Sequence, residues 1–136
     1  MNEHQIKLIR DSWGYVVENV HEAGMIFYDR LFDIAPEVRP LFKGNIKDQS
    51  QKLTLMISFA IDKLEQFDLI VKDIEALGRR HSRYNVKEEH YQIVGQALLW
   101  TLEKGAGDIW SKEHEEAWTA LYGILAATMT KAQISA

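Results

Sequence analysis

Apolar residues recur three and four positions apart along almost the whole chain, and no stretch alternates apolar and polar residues as a half-buried strand does. That period predicts an all-α protein with six main helices. The first, roughly 3–18, carries Ile6, Ile9, Trp13 and Val17 on one face behind Asn2 as N-cap. The second, about 21–35, presents Gly24, Phe27, Tyr28 and Leu31 and stops before Pro36, because the residue preceding a proline is driven out of helical geometry. "IAPEVRPLFKGN" then reads as a corner with at most short helical turns. A third helix, about 48–66, opens with Asp48 as capping residue and aligns Gln49, Leu53, Met56, Ile57, Ala60 and Leu64. A fourth, about 69–83, holds Ile74, Leu77 and His81 on one stripe, and a fifth, 87–104, carries Tyr91, Val94, Leu98 and Leu102. "GAGD" favours a loop. The last helix, about 111–132, has Ser111 as cap, an acidic first turn and Trp118, Leu121, Leu125 and Met129 inside.

These 136 residues are enough for one domain with a real core, and no internal repeat or linker divides 1–136. No apolar run approaches the length that spans a bilayer. The N-terminal "MNEHQIKLIRD" is charged throughout, so a soluble, cytoplasmic protein is expected. A net charge of −4 argues against nucleic acid as a partner, and "RRHSR" is too short a basic cluster to reverse that. With no cysteine there can be no disulfide, thiolate metal site or cysteine nucleophile.

Most searches for chemistry come back empty, and no residue stands out as catalytic. "GAG" at 105–107 lacks the third glycine and the preceding strand of a dinucleotide site, and "HEAGM" and "HEEAW" lack the second histidine of a zinc protease. The five histidines never fall four apart, so no helix-borne histidine pair is encoded. The carboxylates Asp29, Asp33 and Glu113 to Glu116 read as solvated faces. Three polar residues on inward stripes are harder to set aside. Tyr28 is either a tyrosine at the rim of the core or a buried hydroxyl needing a partner. Gln49 is either an exposed helix start or an inward amide. His81 is either a surface histidine or a ligand held towards something buried.

"APEVRPLF", "DQSQKL", "LGRRH", "VKEEHYQIVG" and "AWTALYG" together resemble the globin family in order and spacing, over essentially the whole chain. The resemblance is to bacterial single-domain globins, with neuroglobin-like and flavohaemoglobin-like traits. It implies helices packed around a haem b whose iron is held by His81. It implies that Phe42 packs flat on the haem, that Leu77, Val86 and Val94 line its proximal side, that Leu53 lies above the iron, and that Tyr91 matches a proximal tyrosine. Lys52 becomes a candidate partner for a propionate, as does one of Arg79, Arg80 and Arg83. Tyr28 and Gln49 match the two distal positions that touch a diatomic ligand, and Gly24 and Ser50 the small residues where two helices cross.

A hydroxyl and an amide N–H in a dry pocket favour polar O₂ over CO without adding a charge. The expected function is reversible O₂ binding for storage, delivery or sensing, with CO and NO as further ligands. The alternative is nitric-oxide dioxygenation, which needs a separate reductase. Two departures matter. Most neuroglobin-like chains carry a histidine where Gln49 stands, so the iron is expected to be five-coordinate. The glutamate that joins the proximal tyrosine in flavohaemoglobins is matched by Gln133, and no reductase domain follows, which weakens the enzymatic reading.

Overall fold

A computed structural model describes residues 2–42, 45–69, 71–83 and 87–135; within these the side chains at 20, 69, 81–83, 88 and 132–135 lie outside the description. The chain begins with a reciprocal cap: the Gln5 N–H donates to Asn2 Oδ1 at 2.8 Å and the Asn2 N–H to Gln5 Oε1 at 3.2 Å, satisfying two donors that a helix start leaves open. From there six α-helices follow: α1 (Glu3–Val17), α2 (Val20–Ile34), α3 (Ile46–Asp62), α4 (Val71–Arg83), α5 (Glu88–Ala106) and α6 (Lys112–Ser135). Short 3₁₀ turns over Pro36–Leu41, Leu64–Leu69 and Gly107–Ile109 join them, and there is no strand among the described residues. The all-α expectation is met.

The core forms where α2 crosses α3 and α5, and where α1 and α4 lie on α6. Trp118 of α6 is almost fully buried and donates from Nε1 to Ser12 Oγ at 2.8 Å; the Ser12 hydroxyl in turn donates to the Leu8 carbonyl at 2.7 Å. That chain satisfies the polar atoms in the core and rotates the buried face of α1 towards Ser12. In consequence Val16, not Val17, faces inward, and Val17 is 41% exposed.

Two boundaries differ from expectation in an instructive way. Asn45, not Asp48, caps α3: its side chain accepts from the Lys47 N–H at 2.7 Å, and Asp48 sits in the first turn, where its charge suits the helix dipole. That helix also ends at Asp62 rather than near 66: Lys63 leaves helical geometry at φ −105°, ψ 17°, and the 3₁₀ turn that follows is itself kinked at Gln66. The end of α5 falls where the glycines predicted a break. Gly107 takes φ +64°, a conformation glycine adopts without strain. Two histidines serve as helix-start acceptors, His90 Nδ1 for the Lys87 N–H (2.9 Å) and His114 Nδ1 for the Ser111 N–H (3.2 Å).

Candidate functional site

On α2 the spacing of Gly24, Phe27, Tyr28 and Leu31 turns all four inward. Tyr28 is only 4% exposed. Its ring meets Phe27 (4.8 Å between centroids) and Phe42 (5.3 Å) edge-on and Phe32 at a tilt (5.8 Å). Burial among these rings pushes the phenol up to about 12, since the phenolate would be desolvated. The hydroxyl therefore stays a neutral donor, and no residue among those described hydrogen-bonds to it.

Tyr28 belongs to the main apolar core, against which half-buried Phe42, Leu53 and Val94 also pack, and Phe42 lies against the Tyr28 ring. Gln49 is half-buried one helical turn before Leu53 and is engaged in an interaction of its own. The close approach of α2 and α3 rests on Gly24: a Cβ there would stand 2.6 Å from that of Ser50. Ser50 Oγ is buried there with no hydrogen-bond partner among the described residues.

Across from α3, helix α4 packs on α6, and no extensive packing joins α3 to α4 among the described residues. Gly78 fixes how deeply α4 seats, because a Cβ there would lie 2.4 Å from the Met129 carbonyl oxygen. Position 81 follows Gly78 by three residues and the buried Ile74 by seven, on the same face of α4. The His81 side chain lies outside the described residues, as does Val86 altogether. Leu77 is half-buried, Lys52 exposed, and Tyr91 buried.

Sequence reasoning passed over Tyr122, whose hydroxyl donates to the Tyr91 carbonyl and whose ring fills the space that Gly95 leaves open on α5. Burial raises the Tyr122 phenol, with Tyr91 adding to the shift, and Tyr91 is itself raised by burial. The spacing of Trp118 and Tyr122, four apart on one helix, carried that signal. Phe32, four residues after Tyr28, carried a similar one. An open groove of about 830 Å³ runs between α5 and α6, lined by Tyr91, Gly95, Leu99, Tyr122, Gly123 and Ala126. It reaches none of Tyr28, Gln49 or Leu53 and so is separate from the buried phenol.

The fold is that of an all-α protein of packed helices, with the buried Tyr28 ring set among Phe27, Phe32 and Phe42. Residues 26–129 match the sequence model of the globin family, and the chain belongs to that family. A neuroglobin from Tetraodon nigroviridis is 28% identical over 139 residues, covering 92% of this chain and 87% of the relative. Among solved structures, a bacterial globin from Campylobacter jejuni superposes with a TM-score of 0.85 at 26% identity, covering 98% of this chain and 97% of that one. An engineered carbene transferase from Rhodothermus marinus, whose parent is assigned as a nitric oxide dioxygenase, superposes with a TM-score of 0.89 at 21% identity, covering 99% and 94%. Membership of the globin family supports haem-based gas binding.

Proposed function

We propose that this chain is a single-domain, cytoplasmic haem protein that binds O₂ reversibly, with Tyr28 as the main donor to the gas. The observation that carries the reading is the Tyr28 phenol: buried, held neutral, walled by Phe27, Phe32 and Phe42, and without a partner among the described residues. Among the described residues Ser50 Oγ is the fully enclosed side-chain polar atom without a partner, so the unpaired Tyr28 hydroxyl keeps accessible surface, where a ligand can accept from it.

Haem b, when bound, supplies an iron atom that takes up and releases a diatomic gas. The described residues fit that group, since half-buried Phe42, Leu53, Leu77 and Val94 offer apolar surface for a flat ring to cover. In this reading His81 is the iron ligand, and Phe42, Leu53, Leu77, Val86, Tyr91 and Val94 surround the ring, with Lys52 beside a propionate. Gln49 adds a second neutral donor on the distal side. Protonated Tyr28 donates and carries no charge, which favours a polar ligand such as O₂ over CO.

A second reading, nitric-oxide dioxygenation with a separate reductase, is favoured by the assignment attached to the Rhodothermus marinus relative's parent and uses the same two donors. Gln133, at the position where the resemblance implies a carboxylate, speaks for the carrier. Repeated cycles of oxygenation and deoxygenation, followed by absorption, test reversible O₂ binding. Loss of the oxygenated spectrum to the oxidised one within a few cycles would count against a carrier. Rapid nitrate formation on adding NO, sustained by a reductase, would establish the enzyme instead.

A further inference from the structure

Arg39 lies on the outer side of the aromatic wall, in the Pro36–Leu41 turn. It is exposed, yet it forms no ion pair among the described residues; the nearby acid Asp33 pairs with Arg30 at 3.7 Å. The Arg39 guanidinium instead lies 4.9 Å over the Phe32 ring and donates from NH1 to the Phe42 carbonyl at 3.4 Å. The Arg39 carbonyl in turn accepts the Phe42 N–H at 3.1 Å, closing the turn. Phe32 and Phe42 meet edge to face at 5.6 Å, and both touch the Tyr28 ring. One cation thus ties together the two rings that hold the phenol from the solvent side. A planar guanidinium can rest on a ring and still donate from its edge, which the compact ammonium of lysine cannot do equally well.

We propose that Arg39 is a positioning residue for the distal donor: acting through Phe32 and Phe42, it fixes the direction of the Tyr28 hydroxyl. This rests on the reading of Tyr28 as the donor to the bound gas. The clasp leaves the pocket itself free of charge, because the cation stays on the solvent side of the rings.

The test compares Arg39→Met and Arg39→Lys, each alone and combined with Tyr28→Phe, in the haem-loaded protein. Arg39→Met speeds O₂ release about two- to fivefold, the worth of an exposed cation–π contact transmitted through the donor. CO release changes less. In the Tyr28→Phe background Arg39→Met adds nothing, because its only route to the ligand is gone. Arg39→Lys falls closer to Arg39→Met than to the parent. In the CO complex the C–O stretching band of Arg39→Met splits or broadens, reporting more than one hydroxyl direction, and the ¹³C resonances of Phe32 and Phe42 shift. An equal acceleration with and without the Tyr28 hydroxyl overturns the proposal. If Tyr28→Phe itself leaves O₂ release unchanged, the donor reading has failed. An effect of Tyr28→Phe with none from Arg39→Met overturns the positioning role alone. The phenylalanine resonances judge the clasp in every case: if Arg39→Met leaves them unmoved, there is no clasp.

Discussion

Gly24 and Ser50 set the distance between α2 and α3: a Cβ on Gly24 would stand 2.6 Å from the Ser50 Cβ and 2.8 Å from its Oγ. The Ser50 hydroxyl has no partner among the described residues, so removing it should help rather than harm. Ser50→Ala should stabilise the protein by about 1 kcal/mol, read by urea unfolding, because it removes an unsatisfied buried group and improves helix propensity. Gly24→Ala should destabilise it by roughly 1–3 kcal/mol by prying the helices apart. Combining Gly24→Ala with Ser50→Gly should recover part of that loss. A Gly24→Ala variant as stable as the parent would mean that the two helices can separate freely.

The buried phenols predict alkaline sensitivity. Tyr28 is raised from 10.0 to about 12 in the folded chain, and Tyr122 is raised as well. Below 10 both states carry neutral phenols, and the contribution is fully present. As the pH climbs from 10 towards 12 the unfolded phenol ionises while the folded one keeps its proton, so stability falls. Tyr28 alone accounts for about 2 kcal/mol across that window. Denaturation curves taken through it should show a shallower decline in Tyr28→Phe, and in Tyr122→Phe, than in the parent. Identical slopes would mean that these phenols ionise as easily folded as unfolded.

The helices were legible because their apolar spacing is regular, and α2 is the clearest case: Gly24, Phe27, Tyr28 and Leu31 are all buried as read. What escaped was polar or tertiary. Thr54 is buried on α3, though its letter suggests surface; it is tolerated there because its hydroxyl donates to the Ser50 and Gln51 carbonyls. The stop at Asp62 comes where Lys63 leaves helical geometry, which no proline or glycine announces. Phe42, Leu53 and Val94 are half-buried and pack against the main core to which Tyr28 belongs. Arg39 could not be found by periodicity, since its contacts run across a turn onto a different helix.

His81 as the iron ligand predicts that His81→Ala holds haem weakly or not at all unless imidazole is supplied. His90→Ala is the informative control. The His90 ring accepts the Lys87 N–H at the start of α5, so its loss should cost about 1 kcal/mol of stability yet leave haem in place. The assignment fails if His90→Ala loses haem while His81→Ala keeps it, with a normal CO spectrum.

Tyr28 as donor predicts that Tyr28→Phe speeds O₂ release about five- to thirtyfold, the worth of a net hydrogen bond of roughly 1–2 kcal/mol. CO release should change much less, and the double variant with Gln49→Ala should be non-additive, because both groups share one ligand. Equal acceleration for both gases would point to a packing defect among Phe27, Phe32 and Phe42 rather than to a lost bond.

Gln49 predicts an open sixth position on the iron. An amide is a poor ligand for ferrous iron beside an imidazole, and in the proposed reading Gln49 stands where neuroglobin-like chains carry a histidine. The other histidines are placed or occupied elsewhere. His4 is exposed at the start of α1, 2.8 Å from Glu113, His21 is exposed on α2, and His90 and His114 accept backbone N–H groups at the starts of α5 and α6. Tyr28 stays protonated through the neutral range and so offers no phenolate. CO should therefore bind the reduced protein in one bimolecular step, its observed rate rising in proportion to CO concentration, with the broad visible band of five-coordinate iron beforehand. If an internal ligand had to leave first, the rate would level off at high CO and the reduced spectrum would show sharp split bands. A plateau that disappears in Gln49→Ala would convict the amide itself, whereas one that survives would point to a histidine reaching the iron by a rearrangement of α2 or α5.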